Sequence, residues 1–375
     1  MKIALVHDYL TQAGGAERVI VALHRLYPDA PIFTTIADPA LASDLLPGAT
    51  IVTSWMQMLP GRRRHFRKYF WLYPAGVAAL DLSGFDVILS NSSAYVKSVR
   101  APSGACHICY CHTPMRFAWD FGGYAAREDW GPGTRRILEP MISLLKRWDL
   151  RTANRPTRYY GNSSAVAARI TRCYQRPAGV LYPPVDVERF GVADAPGEHH
   201  LIVSRLVAYK RIDLAIDAFN LLGLPLVIIG DGPARAALQR RAGPSITFLG
   251  RRDDAVVADH YRRCRAVVCP GEEDFGITPV EANASGRPVV AFGAGGALDT
   301  VIDGITGVHF ARQESAVLAE AVRRCSAMTW DPVVLRRHAE RFSEQVFHAR
   351  VAEIVRDALH EKDSGTQGVT SITIG

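Results

Sequence analysis

Short apolar runs recur along the chain. Each closes on small or polar residues before an amphipathic stretch begins. The first, Lys2 to Tyr9, reads as a buried strand and leads through Gly14 and Gly15 into an amphipathic helix ending near Leu26. Pro31 to Ile36, Phe85 to Ser92 and His107 to His112 repeat the strand signal, and Arg135 to about Asn154 reads as a long helix. Tyr159 to Gly161 is strand-like, and Asn162, Ser163 and Ser164 then suit a helix cap. Val180 to Tyr182 is another short strand, closed by the rigid pair Pro183 and Pro184.

The same alternation then restarts. Strands are expected at His199 to Leu206, Leu224 to Ile229, Ile246 to Leu249, Ala266 to Cys269 and Pro288 to Phe292. Helices are expected at Ile212 to Leu222, Asp254 to Arg263 and, at the end, from about Asp331 to His360. Strand–helix alternation in both halves predicts an α/β chain of two doubly wound domains, with a boundary at Pro184. A length of 375 residues is comfortable for two such domains.

The most informative stretch is Ala266 to Gly286. A strand stops at Pro270 and Gly271, acids follow at Glu272 and Glu273, and a helix opens around Pro279. A helix start at a strand's carboxyl end presents backbone N–H groups and a positive dipole end, which suit a phosphate. Glu273 and Glu281 are eight positions apart (281 − 273 = 8), one at the strand end and one a turn into the helix, so both can face one crevice. Carboxylates in such a place suit vicinal hydroxyls of a sugar; solvated acids at an ordinary corner are the plainer alternative. Arg205 and Lys210 stand at another strand-to-helix turn, where an arginine can hold phosphate bidentately and a lysine adds a point charge. Gly14 and Gly15 allow close backbone approach to a ligand but equally make a simple turn. His112 closes a strand at the edge where open α/β sheets bind ligands.

Glu273-Asp-Phe-Gly-Ile-Thr-Pro-Val-Glu281 resembles the E-x7-E signature of family 4 glycosyltransferases, which are retaining enzymes of GT-B fold. Ala282, Gly286-Arg287-Pro288-Val289-Val290 and Gly295-Gly296 follow it as in that family, and Ser204 to Arg211 resembles its diphosphate clamp. The resemblance covers nearly the whole chain and is closest to bacterial surface-polysaccharide mannosyltransferases. It implies two Rossmann-like domains facing a central cleft. Residues 1–184 would bind acceptor, 185–342 the nucleotide sugar, 343–361 would be a helix returning to the first domain, and 362–375 a fraying tail.

The resemblance also implies roles. The donor would be a nucleoside diphosphate sugar, GDP-mannose by overall likeness. Glu281 would hold the ribose, and Arg205 and Lys210 the diphosphate. Phe275, Gly276, Ile277 and Thr278 would line the phosphate and sugar, and Arg251 would neighbour the nucleobase. The Gly14–Gly15 loop would face the diphosphate or the acceptor. Glu273 would orient the hexose hydroxyls, and His112 would lie near the transferred sugar. Trp119 and Asp120 would tend toward the acceptor, a lipid-linked saccharide. Transfer would be retaining and would need neither metal nor cofactor. Other readings are a catalytically idle nucleotide-sugar-binding subunit of a membrane complex, marked by a broken clamp, a two-domain dehydrogenase, and an inverting epimerase of similar shape. The dehydrogenase would need the G-x-G-x-x-G strand turn, which is missing after the first strand.

Composition narrows the partners. The chain is 48% apolar and 22% charged, as soluble globular proteins are. Its net charge of +7 suits anionic partners such as nucleotide phosphates or a lipid surface. No nucleic-acid recognition module is visible. The N-terminal run is interrupted by Asp8 and reads as a strand rather than a signal peptide, so a cytoplasmic chain is expected. Leu45 to Leu80 holds no Asp or Glu. Within it, Arg62 to Trp71 interleaves cations and aromatics, either a peripheral contact with an anionic membrane or a solvated basic helix with inward aromatics. Cys106, Cys109 and Cys111 lack the spacing of a zinc pair, and buried reduced thiols are expected.

Overall fold

The structure of the chain, a computed structural model, describes residues 1–123, 131–193, 195 and 197–363. The expected tail lies, from 364 onward, outside the described residues. The chain forms two compact lobes. One comprises residues 1–162, 166–181 and 347 onward; the other comprises 163–165 and 182–346. The main crossing therefore falls between Leu181 and Tyr182, just before the proline pair.

The first lobe holds β1 (Ile3–His7), β2 (Ile32–Thr34), β3 (Ile51–Thr53), β4 (Val87–Ser92), β5 (Cys106–Cys111), β6 (Arg158–Gly161) and β7 (Ala178–Val180). They make one sheet in the order β3-β2-β1-β4-β5-β6-β7, and every pairing is parallel. Side-chain alternation on β1 divides the core. Ile3 and Leu5 pack with Val19, Ile20 and Leu23 of the Gly15–Leu26 helix and with Val351, Ile354 and Val355 of the Glu344–Asp363 helix. Ala4 and Val6 face the other way, onto Phe66, Tyr73, Val77, Ile142 and Leu145. Both sheet faces are thus covered, which is why the strands read as continuous apolar runs rather than alternating ones. Strand β3 was not expected, because Ile51 to Thr53 is only partly buried at the sheet edge and offers no apolar run.

The second lobe repeats the plan with β8 (His200–Val203), β9 (Leu226–Ile229), β10 (Ile246–Gly250), β11 (Val267–Cys269), β12 (Val289–Phe292) and β13 (Gly307–Phe310). Their order is β10-β9-β8-β11-β12-β13, again all parallel. Strand β13 lay hidden after the Gly304 turn as a four-residue run broken by His309. The Ile212–Leu222 and Asp254–Arg263 helices have the expected bounds. The doubly wound expectation therefore holds in each lobe. Each sheet reverses its order once, between β1 and β4 in the first and between β8 and β11 in the second. Ligands of open α/β sheets bind outside the strand carboxyl ends at such switch points.

Among the described residues no helix is long and apolar enough to cross a membrane. The basic stretch is built as short helical turns, Arg62–His65, Phe66–Tyr69 and Tyr73–Ala78. Phe66 and Tyr73 are buried, while Arg63, Arg64, Arg67 and Lys68 are exposed. All seven cysteines are free thiols, and six of them are buried. No group of three or more metal-capable side chains occurs among the described residues.

Candidate functional site

At the second lobe's switch point, the segments after β8 and β11 are pressed together by glycines. A Cβ on Gly230 would stand 1.9 Å from Ser204 O, and one on Gly232 would stand 2.4 Å from Leu206 O, so the Gly230–Gly232 turn closes onto the backbone around Arg205. Leu206 N donates to Asp231 O at 3.0 Å and Ala234 N donates to Leu206 O at 3.1 Å. Gly271 does the same from the other side, since its Cβ would lie 2.8 Å from Tyr209 O and 2.9 Å from Lys210 Cα. Arg211 then takes left-handed backbone, φ 53°, as the cap of the Ile212–Leu222 helix. That conformation costs a non-glycine residue about 1 kcal/mol or more. Gln313 holds it in place, accepting from Arg211 Nη1 at 3.2 Å and donating to Pro270 O at 2.9 Å.

On this frame Lys210 Nζ meets Glu273 Oε1 directly, and both side chains are about three-quarters covered. Arg205 is exposed and has no side-chain partner among the described residues. Glu273 is held from a third direction by the Gly295–Gly296 pair. Gly296 N donates to Glu273 O at 2.9 Å, and a Cβ on Gly295 would sit 2.3 Å from that same carbonyl. Gly276 caps the Ile277–Ala284 helix at φ 83°, and no side chain caps the amides that follow. Gly276, Ile277 and Thr278 are all partly exposed there. Phe275 differs: its side chain is buried and packs against Tyr182 and Phe342, at centroid separations of 5.8 and 5.6 Å. Only its backbone stands beside the other residues of the helix start. Arg251 follows β10 and is exposed.

Glu281 lies on the first turns of that helix and is buried. Tyr261 Oη donates to its Oε2 at 2.8 Å, and Arg189 Nη2 approaches its Oε1 at 3.4 Å. Arg189 Nη1 also pairs with exposed Asp254 at 2.6 Å. Burial, then the nearby Glu281 charge, holds the Tyr261 phenol well above its ordinary range, so it is a permanent donor. Neither Arg189 nor Tyr261 was singled out from sequence. Arg189 lies 92 positions from Glu281, and Tyr261 reads as an ordinary apolar position of the Asp254–Arg263 helix.

The first lobe gathers a second polar cluster at its own switch point. The carboxylate of Asp8, buried just past β1, accepts four backbone N–H groups, from Ser93 and Ala94 on Oδ2 at 2.6 and 2.9 Å and from Tyr95 and Val96 on Oδ1 at 2.7 and 2.9 Å. It anchors the turn after β4. Beside it, Asn91 Nδ2 donates to Ala16 O at 2.7 Å, which fixes the amide orientation. Asn91 Oδ1 therefore accepts, and His112 Nε2 donates to it at 2.6 Å. The same Nδ2 lies 3.1 Å from His7 Nδ1, which leaves His7 Nε2 to carry its proton toward buried Glu17, 3.6 Å away. His112 is half-buried, edge-on to Tyr110 at 5.0 Å. Gly14 and Gly15 are exposed at the start of the helix that carries Glu17, and a Cβ on Gly15 would meet nothing. In this lobe, then, His112 and the Gly14–Gly15 loop are brought to one sheet edge. Asp8, His7 and Asn91 were not foreseen.

Comparison with known proteins bears on both lobes. Residues 13–189 match the family described as Glycosyltransferase Family 4, and residues 197–327 match Glycosyl transferases group 1. Among curated proteins, the chain is 34% identical over 113 residues to a glycosyltransferase of Methanocaldococcus jannaschii, covering 29% of this chain and 32% of that protein. It is 28% identical over 244 residues to a D-inositol 3-phosphate glycosyltransferase of Streptomyces bingchenggensis, covering 54% of this chain and 53% of that protein. The chain thus spans about a third to a half of the length of these relatives. Among solved structures, Anabaena HepE in complex with UDP is similar at 20% identity and TM-score 0.67, covering 95% of this chain and all of that one. Sucrose-phosphate synthase from Thermosynechococcus elongatus is similar at 17% identity and TM-score 0.66, covering 96% and 100%. The fold is GT-B, and the two family matches fall mainly one on each lobe.

Proposed function

We propose that the chain is a retaining hexosyltransferase that takes its sugar from a nucleoside diphosphate. One observation carries the reading: Lys210 and Glu273, on the segments after β8 and β11 at the second lobe's switch point, are in direct contact. In this reading, Arg205 and Lys210 receive the diphosphate, and the Gly276–Thr278 amides face the phosphate and sugar. Glu281 accepts hydrogen bonds from the ribose, and Glu273 from the hexose hydroxyls. Breaking the glycosidic bond puts new negative charge on the leaving diphosphate. Fixed cations stabilise that charge without reorganising, each contributing about 3 kcal/mol. No metal ion or cofactor is needed for that step. The acceptor hydroxyl attacks on the face the phosphate leaves.

The donor we favour is GDP-mannose, and the acceptor is a lipid-linked saccharide of surface polysaccharide assembly. Similar structures were solved with UDP and with UDP-glucose, so a uridine donor is the direct competitor. A chain that meets a lipid-linked acceptor works at a membrane surface, which the exposed cations of Arg62 to Trp71 suit. An idle binding subunit would be expected to have lost a clamp residue, and none is lost here. The test is a panel of nucleotide sugars, scored for slow donor hydrolysis and for the anomeric configuration of the released sugar. Turnover of GDP-mannose with retention is the expected result. Inversion, or indifference to every donor, would overturn the proposal.

A further inference from the structure

The Pro132–Thr152 helix carries two opposed stripes. Leu138, Ile142, Leu145, Asp149 and Thr152 recur at helical spacing and turn inward; all but the partly covered Leu138 are buried. The other stripe, Arg136, Pro140, Leu144, Arg147 and Arg151, follows steps of four, four, three and four and is exposed throughout. Ile137 stands beside it, 70% exposed, and Leu144 is 60% exposed. Water-facing positions of a globular helix are ordinarily polar. Here two large aliphatic side chains stand among three arginines, none of which has an acidic partner among the described residues.

The helix does not stand apart from the basic segment. Ile142, Leu145 and Trp148 share one hydrophobic cluster with Met56, Phe66 and Tyr73. A run of ring contacts links the two elements, from Phe66 to Tyr9, Tyr73, Tyr95 and Trp148. Both therefore belong to the layer over the sheet face lined by Ala4 and Val6. Near the basic segment, Met58 is 81% exposed.

We infer that the Ile137–Leu144 face of this helix docks on an anionic lipid surface, with Arg136, Arg147 and Arg151 at headgroup level. A helix with exposed aliphatic side chains flanked by unpaired arginines fits a lying-in-the-interface geometry. Charge complementarity selects anionic over neutral lipid. The Arg62–Lys68 cations would add long-range attraction, while the helix face supplies the apolar insertion that cations alone lack. This deepens the membrane-surface element of the proposed function but can be measured without any donor.

The experiment is co-sedimentation of the full chain with vesicles of phosphatidylcholine alone and of phosphatidylcholine with phosphatidylglycerol, at low and at near-physiological salt. Wild type should bind the anionic vesicles and leave the neutral ones. Ile137→Glu combined with Leu144→Glu should weaken binding roughly tenfold or more, with thermal unfolding unchanged because both side chains face water. Reversing Arg136, Arg147 and Arg151 to Glu should do the same and lessen the salt dependence, leaving the part that comes from the Arg62–Lys68 cations. The inference is overturned if wild type ignores anionic vesicles, if the apolar variant binds as wild type does, or if the face instead retains single-stranded nucleic acid. Donor hydrolysis by the vesicle-blind variants should persist. Its absence in wild type would sink the transfer reading while leaving vesicle binding intact.

Discussion

Lys210 Nζ rests against Glu273 Oε1 in the second lobe, so a cation suited to phosphate and an acid suited to hydroxyls neutralise each other. Both belong to loops whose approach is allowed by Gly271 and Gly295.

From this contact, Lys210→Ala and Arg205→Ala should each lower turnover by about two orders of magnitude or more, since each removes a fixed cation from a charge-developing step. Steady-state transfer by the purified variants is the measurement. Near-normal rates in either would remove that cation from the mechanism. Glu273→Gln should lose turnover with smaller change in nucleotide affinity, because its proposed partner is the sugar.

Tyr261 and Arg189 hold one oxygen each of the Glu281 carboxylate. Glu281→Ala should weaken nucleotide binding measured by calorimetry. Tyr261→Phe should weaken it by roughly tenfold, the worth of one hydrogen bond to a charged group. Unchanged affinity in Tyr261→Phe would show that the carboxylate keeps its position unaided.

Gly296 touches the segment carrying Glu273, and a Cβ there would lie 2.3 Å from both Phe275 Cα and Phe275 O. Gly296→Ala must shift that segment. Turnover should fall well before nucleotide affinity does, because Glu281 sits on the helix rather than the loop. A parallel loss of both would mean that the whole helix start has moved.

Asp8 satisfies four buried or half-buried backbone donors in the first lobe. Asp8→Ala leaves those N–H groups without their acceptor and should destabilise the chain by about 3 kcal/mol or more in denaturant unfolding. Asp8→Asn keeps the shape but offers one acceptor oxygen in place of two, and should fall between.

His107 and His200 are buried, and burial pushes their imidazoles down, His107 to about 3 and His200 to about 4. His107 also lies near the Lys97 and Arg155 charges and pairs with Ser90 Oγ at 2.7 Å. Both rings are neutral in the folded chain, whereas unfolding lets them protonate near pH 6.5. Stability attributable to them is full above pH 6.5 and falls as pH drops toward 4, by up to about 1.4 kcal/mol per pH unit for each ring. Urea unfolding across pH 7 to 4 should show this slope, and His107→Asn should reduce it. A flat profile would contradict the assignment.

The local order of the chain was legible because parallel strands covered on both faces are written as unbroken apolar runs. Ala266 to Cys269 and Ile212 to Leu222 needed no partner to be read. The places of Glu273 after a strand end and of Glu281 on the next helix followed from those same runs. Tertiary structure alone decided what surrounds them. Arg189 reaches Glu281 across 92 positions, and Asp8 meets the Ser93 amide across 85. Those meetings follow from which strands are neighbours, and strand order is a property of the whole sheet. Phe275 shows the limit from the other side, since a residue inside the recognisable signature turns into the core while its neighbours stay at the surface. Sequence sets which segments fold and where they turn; the packing of separate segments sets which charges meet.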